Sequence, residues 1–291
     1  MVDTPHPRVA ADPSAALADG VAAADLSHLR TVAVGGADAS GWLDALLTTD
    51  VESMIPGQAQ RSLFLSPTGH IRADVTVART GDGFVLLQEP DQPEPIAGAL
   101  SIYVLSSAVT LEDVDLALFS VPRDPRIPGT LWTARPSPLG GIIIAFPHGA
   151  RDEVAGALAA TFPLAGVAAV EEHRIRSGVA RFPVDLLPTS IPAEAGLDSL
   201  LVDTGKGCFP GQESVAKVRN LGHPAFVVKA FRTEAALAPG AELLDDGEIV
   251  GEVTSAATGA DGTKLIARIR WSEHPRDGLT ASDGNRLEPS D

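Results

Sequence analysis

The chain has 291 residues, and its 44% hydrophobic and 21% charged content is typical of a folded globular protein. Its formal net charge of −16 at pH 7 argues against direct binding of nucleic acid, because a field of that sign repels phosphate groups. The single cysteine excludes an internal disulfide, and it excludes a zinc or iron–sulfur centre held by thiolates of this chain alone.

The first twenty residues are rich in alanine, proline and aspartate, which predicts a flexible tail over residues 1–20. They lack the basic start and the apolar core of a secretory signal peptide. No apolar run approaches the roughly 18–20 residues that cross a bilayer, so no membrane partner is expected. One unpaired cysteine fits a reducing compartment, and we therefore predict a cytoplasmic protein.

Strands and helices alternate through the first part of the chain. Residues 29–50 predict a short strand followed by a helix, with Asp38 at the helix N-cap. Residues 61–80 alternate between apolar and polar side chains around Pro67-Thr68-Gly69, which predicts a β-hairpin. The apolar side of its second strand carries Ile71, Ala73, Val75 and Val77.

The middle of the chain continues the same mixture. Residues 83–89 extend the predicted sheet, and an apolar period over residues 95–104 predicts a helix. Two more strands are predicted at 108–114 and 116–122. Proline, arginine and glycine are frequent in residues 121–140, which predicts a linker or excursion.

A buried strand is predicted at 140–147, a helix within 151–166, and a second helix that begins near 170 and stops at Gly178. Residues 183–224 show little periodicity, so the functional side chains among them are expected mostly on loops. From residue 225 the pattern changes to short strands with turn signals such as "DDG" and "ADG", which predicts a small barrel or sandwich.

The single cysteine, Cys208, lies in "GKGCFPGQES" at residues 205–214, which has few of the apolar residues that normally surround a buried thiol. A free cysteine is most often an inert, buried small side chain. Here Lys206 lies two residues away, and the residues after Gly211 can open a helix. A lysine and a helix N-terminus both favour the reactive thiolate. The residues alone leave both roles open.

The stretch "KGCFPGQE" resembles the signature K-G-C-[FY]-x-G-Q-E of the YgfZ-type folate-binding proteins. These are relatives of the T-protein of the glycine cleavage system, an aminomethyltransferase. Other segments are also similar to this family, among them "VAVGGADASGWLDALLTTDV", "FLSPTGHIRADVTV" and "IVGEVTSAA". The resemblance extends from about residue 28 to residue 272.

This resemblance implies an α+β fold, with a T-protein-like ring of two α+β subdomains plus a C-terminal antiparallel β-barrel. We accordingly expect a folate-binding region over residues 21–222 and the barrel over residues 223–291. The implied cofactor is tetrahydrofolate or a derivative, bound in a central cavity. The implied role is folate-dependent assembly or repair of iron–sulfur clusters, with iron–sulfur client proteins, including tRNA-modifying enzymes, as partners.

The resemblance also implies particular site residues. Glu194 matches a carboxylate that accepts the amino and ring N–H groups of a pterin, and Asp74 is expected near the folate. Cys208 is the expected reactive thiol, and Lys206 is expected to tune it. The other expected cofactor-binding residues are Arg174, Gln212 and Glu213.

Ordinary structural roles are the alternatives for these residues. Glu194 is then a solvated loop glutamate, and Asp74 is an outward-facing acid on a strand. Arg174 is then a surface partner of Glu171 or Glu172 on one helix. The scattered histidines have no metal-binding spacing, so no metal site is expected.

Two other functions compete with the folate-dependent iron–sulfur role. One is a folate-dependent aminomethyl or one-carbon transferase. Relatives with that activity carry two adjacent acids in the hairpin and an acid where Cys208 lies, whereas this chain has Ala73 before Asp74. Both departures weigh against aminomethyl transfer. The other is a binding module in which Cys208 merely packs.

Overall fold

A computed structural model gives the structure of the protein and describes residues 12–272 and 278–290. The chain forms two compact units. The first comprises the described residues up to Phe64, together with Ala73–His173 and Asp203–Phe209. The second comprises Leu65–Arg72, Arg174–Val202 and the described residues from Pro210 onward. The predicted α+β class is confirmed.

Short helices separate groups of strands along the chain. The elements up to residue 147 are α1 (Pro13–Ala18), β1 (Ala23–Asp25), β2 (Arg30–Gly35), α2 (Ala39–Asp44), β3 (Ala59–Leu65), β4 (Ile71–Arg79), β5 (Phe84–Gln88), α3 (Ile96–Ser101), β6 (Thr110–Asp113), β7 (Leu116–Val121), β8 (Trp132–Ala134) and β9 (Ile142–Pro147). The later elements are α4 (Arg151–Ala159), β10 (Leu164–Ala165), α5 (Val167–Arg176), α6 (Leu197–Leu200), α7 (Gln212–Leu221), β11 (Phe226–Thr233), β12 (Glu242–Asp245), β13 (Glu248–Gly259), β14 (Gly262–Arg270), β15 (Thr280–Ala281) and β16 (Glu288–Pro289). Short 3₁₀ helices occupy His148–Ala150 and Pro192–Ala195.

The first unit contains two five-stranded sheets. One has the strand order β3-β4-β5-β2-β6. The other has the order β10-β1-β7-β9-β8, in which the short β1–β10 pair is parallel and the other pairs are antiparallel. The few aromatic residues are concentrated in the cores of these sheets, with Phe64 and Phe84 in one and Phe119 and Phe146 in the other.

The predicted hairpin is confirmed as β3 and β4. Its turn contains Gly69 in the left-handed region at φ 85°, and the amide of Gly69 donates to the carbonyl of Ser66 at 2.9 Å. Four alternating apolar residues of β4 are 1% exposed or less, because alternate residues of a strand face the same side of the sheet. These residues are Ile71, Ala73, Val75 and Val77.

Helix α2 begins after Asp38, as predicted, but the Asp38 side chain does not cap it. Asp38 has helical backbone angles (φ −95°, ψ −3°), whereas a capping residue normally has an extended backbone. Its carboxylate instead accepts a hydrogen bond from the amide of Ala108 at 2.7 Å. The indole of the buried Trp42 donates to the carbonyl of Tyr103 at 2.9 Å. Packing and this bond hold the helix in place.

The second unit contains a six-stranded antiparallel sheet with the order β15-β12-β13-β14-β11-β16. The predicted tight turns are confirmed, with Gly247 at φ 83° and Gly262 at φ 98°. Ala267 and Ile269 of β14 face the core, so the alternation places Arg268 on the opposite face of the sheet. The predicted barrel is an antiparallel half-barrel sheet.

Three segments differ from their predictions. Residues 1–11 of the predicted tail lie outside the described residues, and the next residues form the short helix α1. Strand β8 lies within the predicted linker at 121–140, because three residues are too few to show an alternating pattern. Helix α7 lies within 183–224, and its periodicity is weak because Val215 is its one buried residue.

None of the helices among the described residues combines the length and hydrophobicity that a bilayer crossing requires.

Candidate functional site

The thiol of Cys208 is exposed on a loop whose neighbouring side chains point inward. The Lys206 side chain is only 3% exposed, and Phe209 is buried at 6%. The Lys206 Nζ also lies 5.7 Å from the centre of the Phe209 ring, within reach of a cation–π interaction. Two anchors therefore fix the loop on either side of the cysteine, and the cysteine side chain faces outward.

Lys206 is bound to the end of helix α2. Its Nζ donates to the carbonyl oxygen of Asp44, to that of Leu47 at 2.8 Å and to that of Thr49 at 3.1 Å. It also pairs with the Asp44 carboxylate at 3.2 Å. The last carbonyls of a helix lack partners within the helix, and a cation there satisfies them and opposes the helix dipole. Lys206 thereby ties the Cys208 loop to α2.

This geometry changes the role expected of Lys206. Burial lowers the pKa of its ammonium, and the neighbouring Asp44, Asp50 and Asp203 oppose that shift. An ammonium has three N–H donors, and three carbonyl oxygens accept from this one. Among the described contacts of Lys206 there is none with Cys208. We therefore assign Lys206 to positioning the loop rather than to tuning the thiol.

Replacing Lys206 with methionine is expected to lower the free energy of unfolding by about 2–3 kcal/mol, because hydrogen bonds from a buried charged donor are lost. The Asp44 carboxylate would also lose its counter-charge. Chemical denaturation of the two proteins measures the difference. Lys217→Met, at an exposed position of α7, is the matched control and should leave the unfolding midpoint unchanged. Equal midpoints for wild type and Lys206→Met would refute this role.

The tip of the hairpin packs closely against the start of α7. A Cβ built on Gly211 would lie 2.5 Å from the carbonyl oxygen of Ser66, and Gly211 has φ 81°. A Cβ on Gly69 would lie 2.9 Å from the Cβ of Ser214. Glycine is therefore required at position 211 by both space and backbone conformation. By contrast, a Cβ on Gly207 would meet nothing within 4 Å.

A small cavity of about 40 Å³ lies between this hairpin tip, the 3₁₀ helix 192–195 and α7. Its walls carry the hydroxyl-bearing Thr68 and Ser214 and several apolar side chains. Gln212 and Glu213 occupy the first turn of α7, with Gln212 half-buried and Glu213 exposed. The cavity is too small for a pterin.

Glu194 lies on the 3₁₀ helix 192–195 and is buried at 6% exposure. Its Oε2 accepts a hydrogen bond from Ser190 Oγ at 2.7 Å and one from Arg268 Nε at 3.3 Å. Its Oε1 accepts a long bond of 3.4 Å from the amide of Ile191. The alternative of a solvated loop glutamate is therefore wrong, and the carboxylate retains acceptor capacity at Oε1.

Arg268, which was not among the expected site residues, supplies the counter-charge to Glu194. Its guanidinium carbon lies 3.7 Å from the centre of the Phe226 ring, in a cation–π stack. The Arg268 side chain is 15% exposed. The signal that points to it is a charged residue that interrupts the short apolar run from Leu265 to Ile269, since a charge among apolar residues usually has a partner.

Asp74 forms a fork-like ion pair with Arg61. Arg61 Nε donates to Asp74 Oδ1 at 2.8 Å and Nη2 donates to Oδ2 at 2.5 Å. Burial lowers the pKa of Arg61, but the charge and hydrogen bonds of Asp74 outweigh burial and leave that pKa raised. The side chain of Gln92 also bonds to both backbone groups of Asp74. Asp74 is thus held in place and its charge is paired.

Arg174 lies in a buried polar network of the second unit. Its Nη1 donates to Asp185 Oδ2 at 2.7 Å and its Nη2 donates to Ser255 Oγ at 2.9 Å. The other Asp185 oxygen accepts from the hydroxyls of Thr254 and Ser255, at 2.5 and 2.7 Å. The expected role of Arg174 in folate binding is therefore unsupported, because its guanidinium holds the sheet to the 174–202 segment.

The expected site residues are divided between the two units. Cys208, Lys206 and Asp74 belong to the first unit, and the other four belong to the second. Three of them form an ion pair with a residue that the sequence did not predict as a partner. These pairs are Lys206 with Asp44, Asp74 with Arg61, and Glu194 with Arg268. Within residues 12–272 and 278–290, no group of three or more histidine, cysteine, aspartate or glutamate side chains is arranged to hold a metal.

Residues 6–121 match the family model described as the GCVT N-terminal domain.

Curated proteins similar to this chain are named as transferases. A chloroplast protein of Arabidopsis thaliana with the provisional name of a transferase is 26% identical over 277 residues, covering 84% of this chain and 64% of that protein. An aminomethyltransferase of Rippkaea orientalis is 24% identical over 280 residues, covering 84% of this chain and 76% of that protein. An aminomethyltransferase of Lysinibacillus sphaericus is 24% identical over 303 residues, covering 91% and 80%. The chain spans less than two thirds of the chloroplast protein's length.

The fold is similar to that of a solved structure, the glycine cleavage system aminomethyltransferase T of Bartonella henselae. The TM-score is 0.78 at 19% sequence identity, and the match covers 93% of this chain and 85% of the other. The predicted T-protein-like fold is therefore confirmed. The closer resemblance to YgfZ-type proteins stays a prediction.

Proposed function

We propose that this chain, whose residues 6–121 match the GCVT N-terminal domain and whose fold is T-protein-like, binds tetrahydrofolate and supports the assembly or repair of iron–sulfur clusters. Glu194 holds the pterin and Cys208 supplies the reactive sulfur. Tetrahydrofolate, when bound, supplies a nitrogen that carries one-carbon units. The observation that carries the proposal is the exposed Cys208 on a loop fixed by two buried neighbours.

The carboxylate of Glu194 supports the folate part of the proposal. Among the described residues, its Oε1 accepts only the long bond from the amide of Ile191. A carboxylate oxygen has two lone-pair sites, so Oε1 keeps one site that can accept an N–H donor at the pyrimidine edge of a pterin. Because the neighbouring cavity of about 40 Å³ is too small, the pterin must approach Glu194 from another side.

The position of Cys208 supports the sulfur part. A buried cysteine is inert, whereas an exposed one on a fixed loop can meet a partner without a conformational change. Iron–sulfur clusters normally take four ligands, so one thiolate cannot hold a cluster alone. The client protein or small thiols therefore provide the other ligands during transfer.

A folate-dependent aminomethyl or one-carbon transferase is the second candidate function, because the curated proteins similar to this chain are named as transferases. The presence of Ala73 weighs against it less than the sequence suggests. Ala73 is 1% exposed in the core of the first unit, so an acid at this position would face the core. Asp74, the acid that this chain retains, lies on the other face of the strand. Release of methylene-tetrahydrofolate from an aminomethyl donor would favour this candidate.

Titration with tetrahydrofolate tests the proposed function. The wild-type chain is expected to bind it at micromolar concentration, and Glu194→Gln is expected to weaken binding about tenfold, because a charge-assisted acceptor becomes a neutral one. Isothermal titration calorimetry measures both affinities.

Asp261→Asn is the matched control for this titration. Asp261 is an exposed carboxylate of the same unit, paired with Arg176 at 3.3 Å, and its neutralisation should leave the affinity unchanged. The folate proposal fails if wild type does not bind tetrahydrofolate at micromolar concentration. The assignment of Glu194 fails if Glu194→Gln binds as tightly as wild type.

A further inference from the structure

We infer that Arg268 is a specificity-determining residue, which together with Glu194 recognises the 2-amino-4-oxo edge of a reduced pteridine and rejects the 4-amino counterpart. This inference rests on the proposed folate binding, and it adds a residue and a ligand preference to it. It concerns the second unit alone, because both side chains belong to that unit.

The two side chains form a fixed pair of opposite charge. Arg268 Nε donates to Glu194 Oε2 at 3.3 Å, and Ser190 Oγ donates to the same oxygen at 2.7 Å. A carboxylate only accepts hydrogen bonds. The other oxygen, Oε1, keeps a lone pair for a further donor. The pair therefore offers a ligand one hydrogen-bond acceptor, Glu194 Oε1, and hydrogen-bond donors from the Arg268 guanidinium beside it.

The terminal nitrogens of Arg268 have donors left over. A guanidinium carries five N–H groups, and Arg268 uses Nε on Glu194. In the part of the chain that the structure describes, Nη1 and Nη2 have no hydrogen-bond partner. The stack on Phe226 at 3.7 Å fixes the plane of the guanidinium. The direction of the unused donors is thus set before any ligand arrives, which reduces the entropy cost of binding.

The pyrimidine edge of tetrahydrofolate matches this pattern. Its 2-amino group and ring N3–H are two neighbouring donors, and the 4-oxo oxygen beside them is an acceptor. The free lone pair of Glu194 Oε1 can accept from one of these donors, while the guanidinium donates to the 4-oxo oxygen. In a 4-amino pteridine the oxygen becomes an amino donor and N3 becomes an acceptor. That edge places a donor against Arg268 and an acceptor against Glu194.

The test compares two ligands on the full chain, namely tetrahydrofolate and its 4-amino counterpart, tetrahydroaminopterin. Wild type is expected to bind tetrahydrofolate at least about tenfold more tightly. In tetrahydroaminopterin the 4-amino group and the Arg268 guanidinium are both donors, so the charge-assisted hydrogen bond to Arg268 is lost. Arg268→Leu is expected to reduce that preference about fivefold to tenfold, because it removes the donor that reads the oxygen. Arg268→Lys, which keeps the charge, should retain part of the preference.

Arg232→Leu is the matched control. Arg232 is exposed on the neighbouring strand β11, pairs with Glu288 at 2.5 Å, and should have no effect on either affinity. If Arg268 only supports Glu194, Arg268→Leu weakens both ligands equally, and an unchanged ratio overturns this inference while folate binding stands. Equal binding of both ligands by wild type overturns it without any variant. No binding of tetrahydrofolate by wild type overturns the proposed function itself.

Discussion

Cys208→Ala is expected to abolish the restoration of iron–sulfur enzyme activity in cells that lack the native protein, while tetrahydrofolate affinity stays unchanged. The loss follows from chemistry, because alanine cannot act as a thiolate ligand or nucleophile. It does not follow from instability, since Cys208 is exposed and surface substitutions usually change stability by about 0.5 kcal/mol or less. Activity of an iron–sulfur enzyme in cell extracts is the readout.

Gly207→Ala is the matched control for this experiment. It adds a methyl group beside Cys208, where a Cβ would meet nothing within 4 Å, and should preserve full restoration. Full restoration by Cys208→Ala would reject the proposed use of the thiol and would leave the folate-dependent transferase as the better candidate.

Asp185→Ala is expected to lower the free energy of unfolding of the second unit by about 3–5 kcal/mol, because it removes the buried carboxylate that pairs with the Arg174 guanidinium. The Asp185 side chain is fully buried, and that of Arg174 is 10% exposed. The variant also leaves the hydroxyls of Thr254 and Ser255 without the carboxylate oxygen that accepts from them. Hydrogen exchange of the amides of β13 and β14 reports the loss within this unit.

The ion pair between Arg176 and Asp261 is a natural control, because Arg176 also lies on α5 and its partner also lies beside the sheet. This pair is exposed to solvent, so Asp261→Ala should leave the exchange rates unchanged. A large effect of Asp261→Ala, or a small effect of Asp185→Ala, would show that burial does not determine the strength of these pairs.

The sequence predicts the local features of this protein well. The alternation of residues 61–80 predicts the hairpin, and "DDG" and "ADG" predict two turns, since each depends on neighbouring residues. The residues around Cys208 leave a packed and a reactive thiol both open, and the structure places Cys208 at the surface.

The sequence does not predict which groups meet from distant parts of the chain. Lys206 binds the carbonyl of Asp44, 162 residues away, and Arg268 binds Glu194 across 74 residues. Lys206 therefore looks like a modifier of the nearby thiol when only its neighbours are visible. Arg174 likewise looks like a surface residue of a helix, because its partner Asp185 follows an irregular segment with no periodic signal.

Each unit is assembled from separated stretches of chain, since the turn at Leu65–Arg72 is part of the second and Asp203–Phe209 is part of the first. A gene fragment that encodes residues 223–291 alone therefore lacks Ser190, Glu194 and the network around Asp185. Neither unit is one continuous segment, so a single crossover between two related genes cannot exchange either unit whole. An engineered exchange of one unit needs several cuts in the gene.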